Sequence, residues 1–140
     1  MTLEIPELAP DQVAILTTID EDGPAAVPVS ALSRLDGSTV LVALARRRAS
    51  LARARRDPRA ALSLSGPGFS ICARGSLGIV AEPLPGADFM TALRFAAVSV
   101  WDARGAATEV DSGIGWHWKD SEAAGRHQRV LTALEELARR

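Results

Sequence analysis

Residues 39–65, TVLVALARRRASLARARRDPRAALSLS, constrain the fold more than any other part of this chain. An apolar run with β-branched residues, Thr39 to Ala45, reads as a strand. Ala49 to Arg56 holds helix formers and no β-branched residue, so it reads as a short helix. Asp57-Pro58 stops it, because proline disfavours the helical conformation in the residue before it. Ala60 to Ser65 is a second apolar strand. The crossing between the strands carries Arg46, Arg47, Arg48, Arg53, Arg55, Arg56 and Arg59, seven of the sixteen basic residues of a chain whose net charge is -1. Guanidinium groups make forked, charge-assisted hydrogen bonds that match phosphate oxygens. The crossing is therefore either an anion site between two strands or the solvated face of a short helix.

Composition narrows the class. A chain of 140 residues is expected to form one domain, 47% apolar and 24% charged, with ordinary globular proportions. No apolar run reaches the roughly 18–20 residues that span a bilayer. The opening MTLEIPELAPDQ is acidic and has neither a basic flank nor an apolar signal core, which leads to an expectation of a cytoplasmic protein. Cys72 is the only cysteine, so no internal disulfide can form. The near-neutral charge balance argues against a dedicated nucleic-acid binder, which is usually basic across its domain.

The rest of the chain reads mainly as β. One helical turn is expected around Ala9 to Val13, then a strand Val13 to Ile19 and a turn at Asp20 to Gly23. Ala25 to Leu35 reads as one strand, with Val27 and Val29 on one face. Pro28 in it lacks an amide hydrogen and suits an edge or a break in pairing. Asp36-Gly37 is a hairpin dipeptide. After Gly66-Pro67-Gly68, Phe69 to Glu82 is a long alternating strand, with Gly75 and Gly78 marking bends. Ala87 to Arg94 reads as a short helix and Phe95 to Ala103 as a sixth strand. Gly105 to Gly115 is loop-like. A final helix, about 121–140, is capped by Asp120 or Ser121 and spaced by Val130, Leu131, Leu134 and Leu137. Six strands with few long helices predict a small antiparallel barrel.

Few residues offer chemistry of their own. Arg46, Arg47 and Arg48 lie where a strand ends, and Ser50 near the helix start could cap it or meet a phosphate. His117 and His127 have no partners at metal-ligand spacing, and His127 reads as a packed, hydrogen-bonded residue three and four positions before Val130 and Leu131. Cys72 reads as a buried strand residue. Trp116 and Trp118, flanking His117, would point the same way on an extended segment; they either cover a planar ligand or a subunit seam, or pack in an ordinary core. No Gly-x-Ser-x-Gly elbow, dinucleotide fingerprint or phosphate loop is present. No residue qualifies as a catalytic acid or base.

Taken in order, VAILTTIDEDGPAAVPVSAL, TVLVALARRRASLARARRDPRAALSLSG and ARGSLGIVAEP resemble the pyridoxamine 5'-phosphate oxidase-like family of flavin-binding split barrels, over roughly residues 10–120. The resemblance implies a mainly β fold: a six-stranded antiparallel split β-barrel with peripheral helices, paired as a homodimer. It implies FMN, or in some branches the deazaflavin F420, near the dimer seam, and a flavin-dependent oxidoreductase acting on a small molecule. Phosphate-holding positions of the family fall near Arg46, Arg47, Arg48 and Ser50. The ring-contacting strand corresponds to Val27, Pro28, Val29 and Ser30, and the region of Trp116 reaches the partner's ring. Ser50 stands where many members have lysine, and Ala54 where they have leucine. The C-terminal Arg-x-His segment of the true oxidase is absent, so pyridoxamine phosphate oxidation is not expected. The same fold also hosts F420-dependent reductases and non-catalytic flavin or small-ligand binders.

Overall fold

Short β-branched runs punctuated by Gly and Pro turns build one antiparallel sheet in the computed structural model, which describes residues 3–140. The strands are β1 (Ala14–Asp20), β2 (Gly23–Val29), β3 (Leu32–Asp36), β4 (Thr39–Ala45), β5 (Arg59–Gly66), β6 (Phe69–Ala81) and β7 (Met90–Asp102). Helix α1 (Ala49–Arg56) links β4 to β5, and α2 (Ser121–Ala138) follows β7 after a long connection. The sheet order is β2-β1-β5-β6-β7-β4-β3. Its two edges, β2 and β3, are consecutive in the chain and are joined only by Ser30 and Ala31. Three residue steps span at most roughly 11 Å, so the sheet must curl until its edges nearly meet. The result is a barrel split between β2 and β3.

That geometry explains a difference from expectation. Ala25 to Leu35 is two strands rather than one, and the barrel has seven strands instead of six. The chain leaves one edge after Val29 and joins the other at Leu32, and the amide of Ala43 donates to the carbonyl of Ala31 at 3.0 Å.

A second expectation is corrected. Ala87 to Arg94 is not a helix: a turn at Ala87 leads into β7 from Met90. Its helix-permissive residues pair instead with β4, Met90 opposite Ala45 and Leu93 opposite Val42. Tertiary pairing that buries Leu93 and Phe95 outweighs weak local propensity. At Ala9 to Gln12 the chain makes a single hydrogen-bonded turn.

Two cores share strand β4. Leu16, Val42, Leu44, Leu62, Leu93 and Phe95 fill the barrel, closed at one end by Leu51 and Ala54 of α1. On the outer side Leu41, Ala43 and Ala92 pack against Val130, Ala133 and Leu134 of α2. Burial on both faces is why β4 reads as an unbroken apolar run. Asp120 caps α2, its Oδ1 accepting the amide of Ala123 at 2.8 Å. Cys72 is half-buried on the outer sheet face rather than in a core, and its sulfur accepts from Ser63 Oγ at 3.4 Å. None of the helices is long and apolar enough to cross a membrane, among the described residues.

Candidate functional site

The arginine crossing divides into two halves with opposite electrostatics. In its second half each guanidinium meets an acid. Arg53 donates through Nε to Thr18 Oγ1 at 2.8 Å and lies 3.9 Å from Asp20. Arg55 pairs with Glu82, Arg56 with Glu21 at 3.5 Å, and Arg59 with Asp57 at 2.7 Å. Arg53 closes the barrel end, since Thr18 is fully buried. These four arginines bind the crossing to the barrel.

The first half has no such neutralisation. Arg46 and Arg47 are exposed, and neither makes a side-chain hydrogen bond or ion pair among the described residues. Arg48 donates Nη2 to the carbonyl of Pro28 at 2.9 Å and meets no carboxylate. Burial, then the nearby positive charge of Arg53, hold its guanidinium below the usual arginine range. A half-buried cation in that state is stabilised by any anion that reaches it.

Arg48 is also the N-cap residue of α1, where the helix has no side-chain cap and no acid in its first turn. The positive end of the helix dipole and its unsatisfied amides therefore face the same region. Ser50 does not cap the helix. It sits one residue inside α1, almost fully buried, and its Oγ has no hydrogen-bond partner. An orphaned hydroxyl in the first turn of an uncapped helix, next in the chain to three arginines that meet no acid among the described residues, is a donor set that fits a phosphate.

A cavity of about 200 Å³ opens beside Arg48. Val29 at the end of β2 lines it together with Ser30 and Ala31, the link between the split edges. Ala43, Phe89 and Met90 form the floor, and Trp118 with Arg126, His127 and Val130 forms the α2 side. Of the residues singled out in the sequence as ligand contacts, Val29, Ser30, Arg48 and Trp118 come together here. Arg46, Arg47 and Ser50 lie next to Arg48 in the chain but do not line the cavity, and neither does Trp116. The Trp116 ring stands 6.1 Å from that of Trp118, which in turn packs 4.6 Å from His127. Phe89, Met90, Arg126 and His127 escaped sequence reasoning. The first two fell in the misassigned helix, and the last two read as ordinary surface and packing positions of α2.

His127 packs through its ring on Trp118 and makes no hydrogen bond among the described residues, where a hydrogen-bonded histidine was expected. Burial alone holds its imidazole below the ordinary histidine range. The unfolded chain therefore takes up this proton at a higher pH than the folded one. Stability is complete above the unfolded value of 6.5 and declines as the pH falls through it. Denaturant melts from about pH 7.5 down to about pH 5 are expected to show that decline, and His127→Gln should flatten it.

Between β7 and α2 runs an exposed arm, residues 103–120, without regular structure. The carbonyl of Val110 accepts the amide of Gly68 at 2.9 Å, and Gly113 lies so close to the carbonyl of Ser65 that a β-carbon there would sit 2.0 Å from the oxygen. Beyond that anchor the arm shows Ile114, Trp116 and Trp118 to solvent, each at least 40% exposed.

No protein-family model matches this chain, and no curated protein matches it in sequence. Solved structures do match it in fold. An F420 reductase superposes with a TM-score of 0.59 at 15% identity, over 69% of this chain and 98% of that one. A protein related to general stress protein 26, of the pyridoxine-phosphate oxidase family, from Clostridium acetobutylicum gives 0.54 at 16% identity, over 66% and 79%. A FAD-binding protein from Mesorhizobium loti gives 0.53 at 12% identity, over 64% and 81%. The fold is the split barrel of the pyridoxamine 5'-phosphate oxidase-like proteins.

Proposed function

We propose, from the split barrel this chain shares with those proteins, that it is a cytoplasmic, single-domain flavoprotein that binds FMN and acts as an oxidoreductase on a small molecule. The observation that supports this reading most is the divided arginine crossing. Arg46, Arg47 and Arg48 are left without acids beside an uncapped helix and the orphaned Ser50 hydroxyl. In this proposal they hold the phosphate, while Val29, Ser30 and the Trp116–Trp118 pair lie along the ring. A bound flavin supplies the hydride or electron chemistry; the chain supplies grip, orientation and shelter from water. A cavity of about 200 Å³ is below the roughly 300 Å³ at which ligand pockets usually begin, so one copy offers only part of a flavin site.

The missing part is supplied by a second copy in this reading. The outer face of β1, β5 and β6 is covered by no helix and carries small residues such as Ala61, Ser63 and Cys72. Ile114 of the arm lies against Val13, Ile15 and Ser63 at its margin and stays 47% exposed. A homodimer that buries about 800 Å² per copy would use both the face and the arm. Gly113→Ala is expected to push the arm off Ser65 and weaken dimerisation at least about tenfold while the barrel stays folded. Sedimentation over a concentration series reads the first effect and circular dichroism the second. An unchanged dimer in this variant would remove the arm from the interface.

An absorption spectrum of the purified protein, before and after incubation with FMN, tests the cofactor. Retained flavin bands at one per chain support FMN. Uptake of F420 without uptake of FMN would shift the assignment to a deazaflavin reductase, a reading favoured by the similarity to the F420 reductase. Uptake of neither would end it.

A further inference from the structure

We infer that His127 is a positioning residue for the flavin site: its ring holds the Trp118 indole in place at the cavity beside Arg48. The consequence for flavin binding rests on the reading above; the placement of the indole does not.

Trp118 stands on the arm, which gives it little support of its own. Upstream the arm is packed at Gly113 on the carbonyl of Ser65, and downstream the chain is fixed again at Asp120, the cap of α2. Between them, residues 114–119 make no backbone hydrogen bond among the described residues. A segment held so sparsely opens easily. Two aromatic contacts remain to fix the indole. Trp116, 6.1 Å away, belongs to the same arm and is itself 45% exposed, so it is no fixed point. His127 is one. It lies in the second turn of α2, and that helix is docked on the sheet by Val130, Ala133 and Leu134. Its ring centroid is 4.6 Å from that of Trp118 with 33° between the planes, within the range of favourable aromatic pairs.

The imidazole makes no hydrogen bond among the described residues, so what it gives Trp118 is a ring face. Both rings line the cavity. An indole already fixed there spares a planar ligand the cost of ordering it on binding. An aromatic pair of this kind changes an affinity by about fivefold. The same helix contacts that dock α2 keep it in place when the His127 ring is removed.

The test uses the full chain and two replacements, His127→Ala and His127→Phe. Trp101→Phe with Trp116→Phe leaves Trp118 as the sole tryptophan of a chain that has no tyrosine. In that background, without ligand, His127→Ala is expected to lower the emission anisotropy of Trp118, and His127→Phe to keep it. With the other tryptophans restored, His127→Ala is expected to weaken FMN binding about fivefold, while His127→Phe binds as the parent does. Trp118→Ala should lose about as much as His127→Ala, and the two together no more than either alone. Circular dichroism checks that α2 stays folded. Unchanged anisotropy in His127→Ala overturns the inference. So does an FMN loss in His127→Phe equal to that in His127→Ala, which would mean that the imidazole N–H meets the ligand directly. Additive losses in the double variant overturn it as well. If the parent takes up no FMN, the flavin reading falls, and the anisotropy alone upholds or overturns the placement of Trp118 by His127.

Discussion

Replacing Arg46 and Arg48 together by alanine is expected to lower FMN affinity about 100-fold, since each lost charge-assisted bond to phosphate is worth about 1.5 kcal/mol. The fold should hardly notice. Arg46 is exposed and unpaired, and Arg48 gives up one bond to a carbonyl at the sheet edge that water can replace. The control is the other half of the crossing. Arg55→Ala with Arg56→Ala removes the same charge but takes it from guanidiniums already paired with Glu82 and Glu21. That variant should bind FMN nearly as the parent does. Equal losses in both double variants, measured by fluorescence quenching of the flavin, would reduce the site to general electrostatic attraction. No loss in either would abolish it.

Gly75→Ala is expected to destabilise the barrel by about 3 kcal/mol, at the upper end of what overpacking costs. At this size that is a fall of roughly 10 °C in melting temperature. Gly75 lies at the bulge where β6 shifts register against β7. A β-carbon there would stand 2.0 Å from the carbonyl oxygen of Ala96 and 2.9 Å from the α-carbon of Ala97, both backbone atoms of the neighbouring strand. The two longest strands would have to part, and with them the face that carries Leu77, Leu93 and Phe95. Gly78, three residues on, meets nothing within 4 Å, so Gly78→Ala should melt close to the parent. Parity between the two variants would show that the bulge can absorb the methyl group.

Much of this architecture is legible in the amino-acid sequence. The arginine crossing gave its helix and both flanking strands within a residue, because Asp57-Pro58 and the apolar runs leave little choice. Asp120 as the cap of α2 was equally plain. The helix expected at Ala87 to Arg94 failed because those residues have no strong local preference and are set by β4 and β6, far away in the chain. The break at Ser30-Ala31 was hidden for a related reason: Ala25 to Leu35 is strand-like throughout, and only closure of the sheet parts it. In the site, residue types that recognise anions stood out in the crossing. Which arginines are already spoken for could not be read, since Glu21 reaches them from the turn between β1 and β2 and Glu82 from just past the end of β6. Arg126 and His127 join the cavity only because α2 folds back across β3 and β4.

The carbonyl of Pro28 turns outward to Arg48, so residues 24, 26 and 28 of β2 all face away from β1. Two of the three are prolines, which leaves Ala26 as the only hydrogen-bond donor among them. An incoming strand from another molecule would find a ladder with most of its rungs missing, and a guanidinium across the top of it. Runaway stacking of barrels along that border is thereby discouraged.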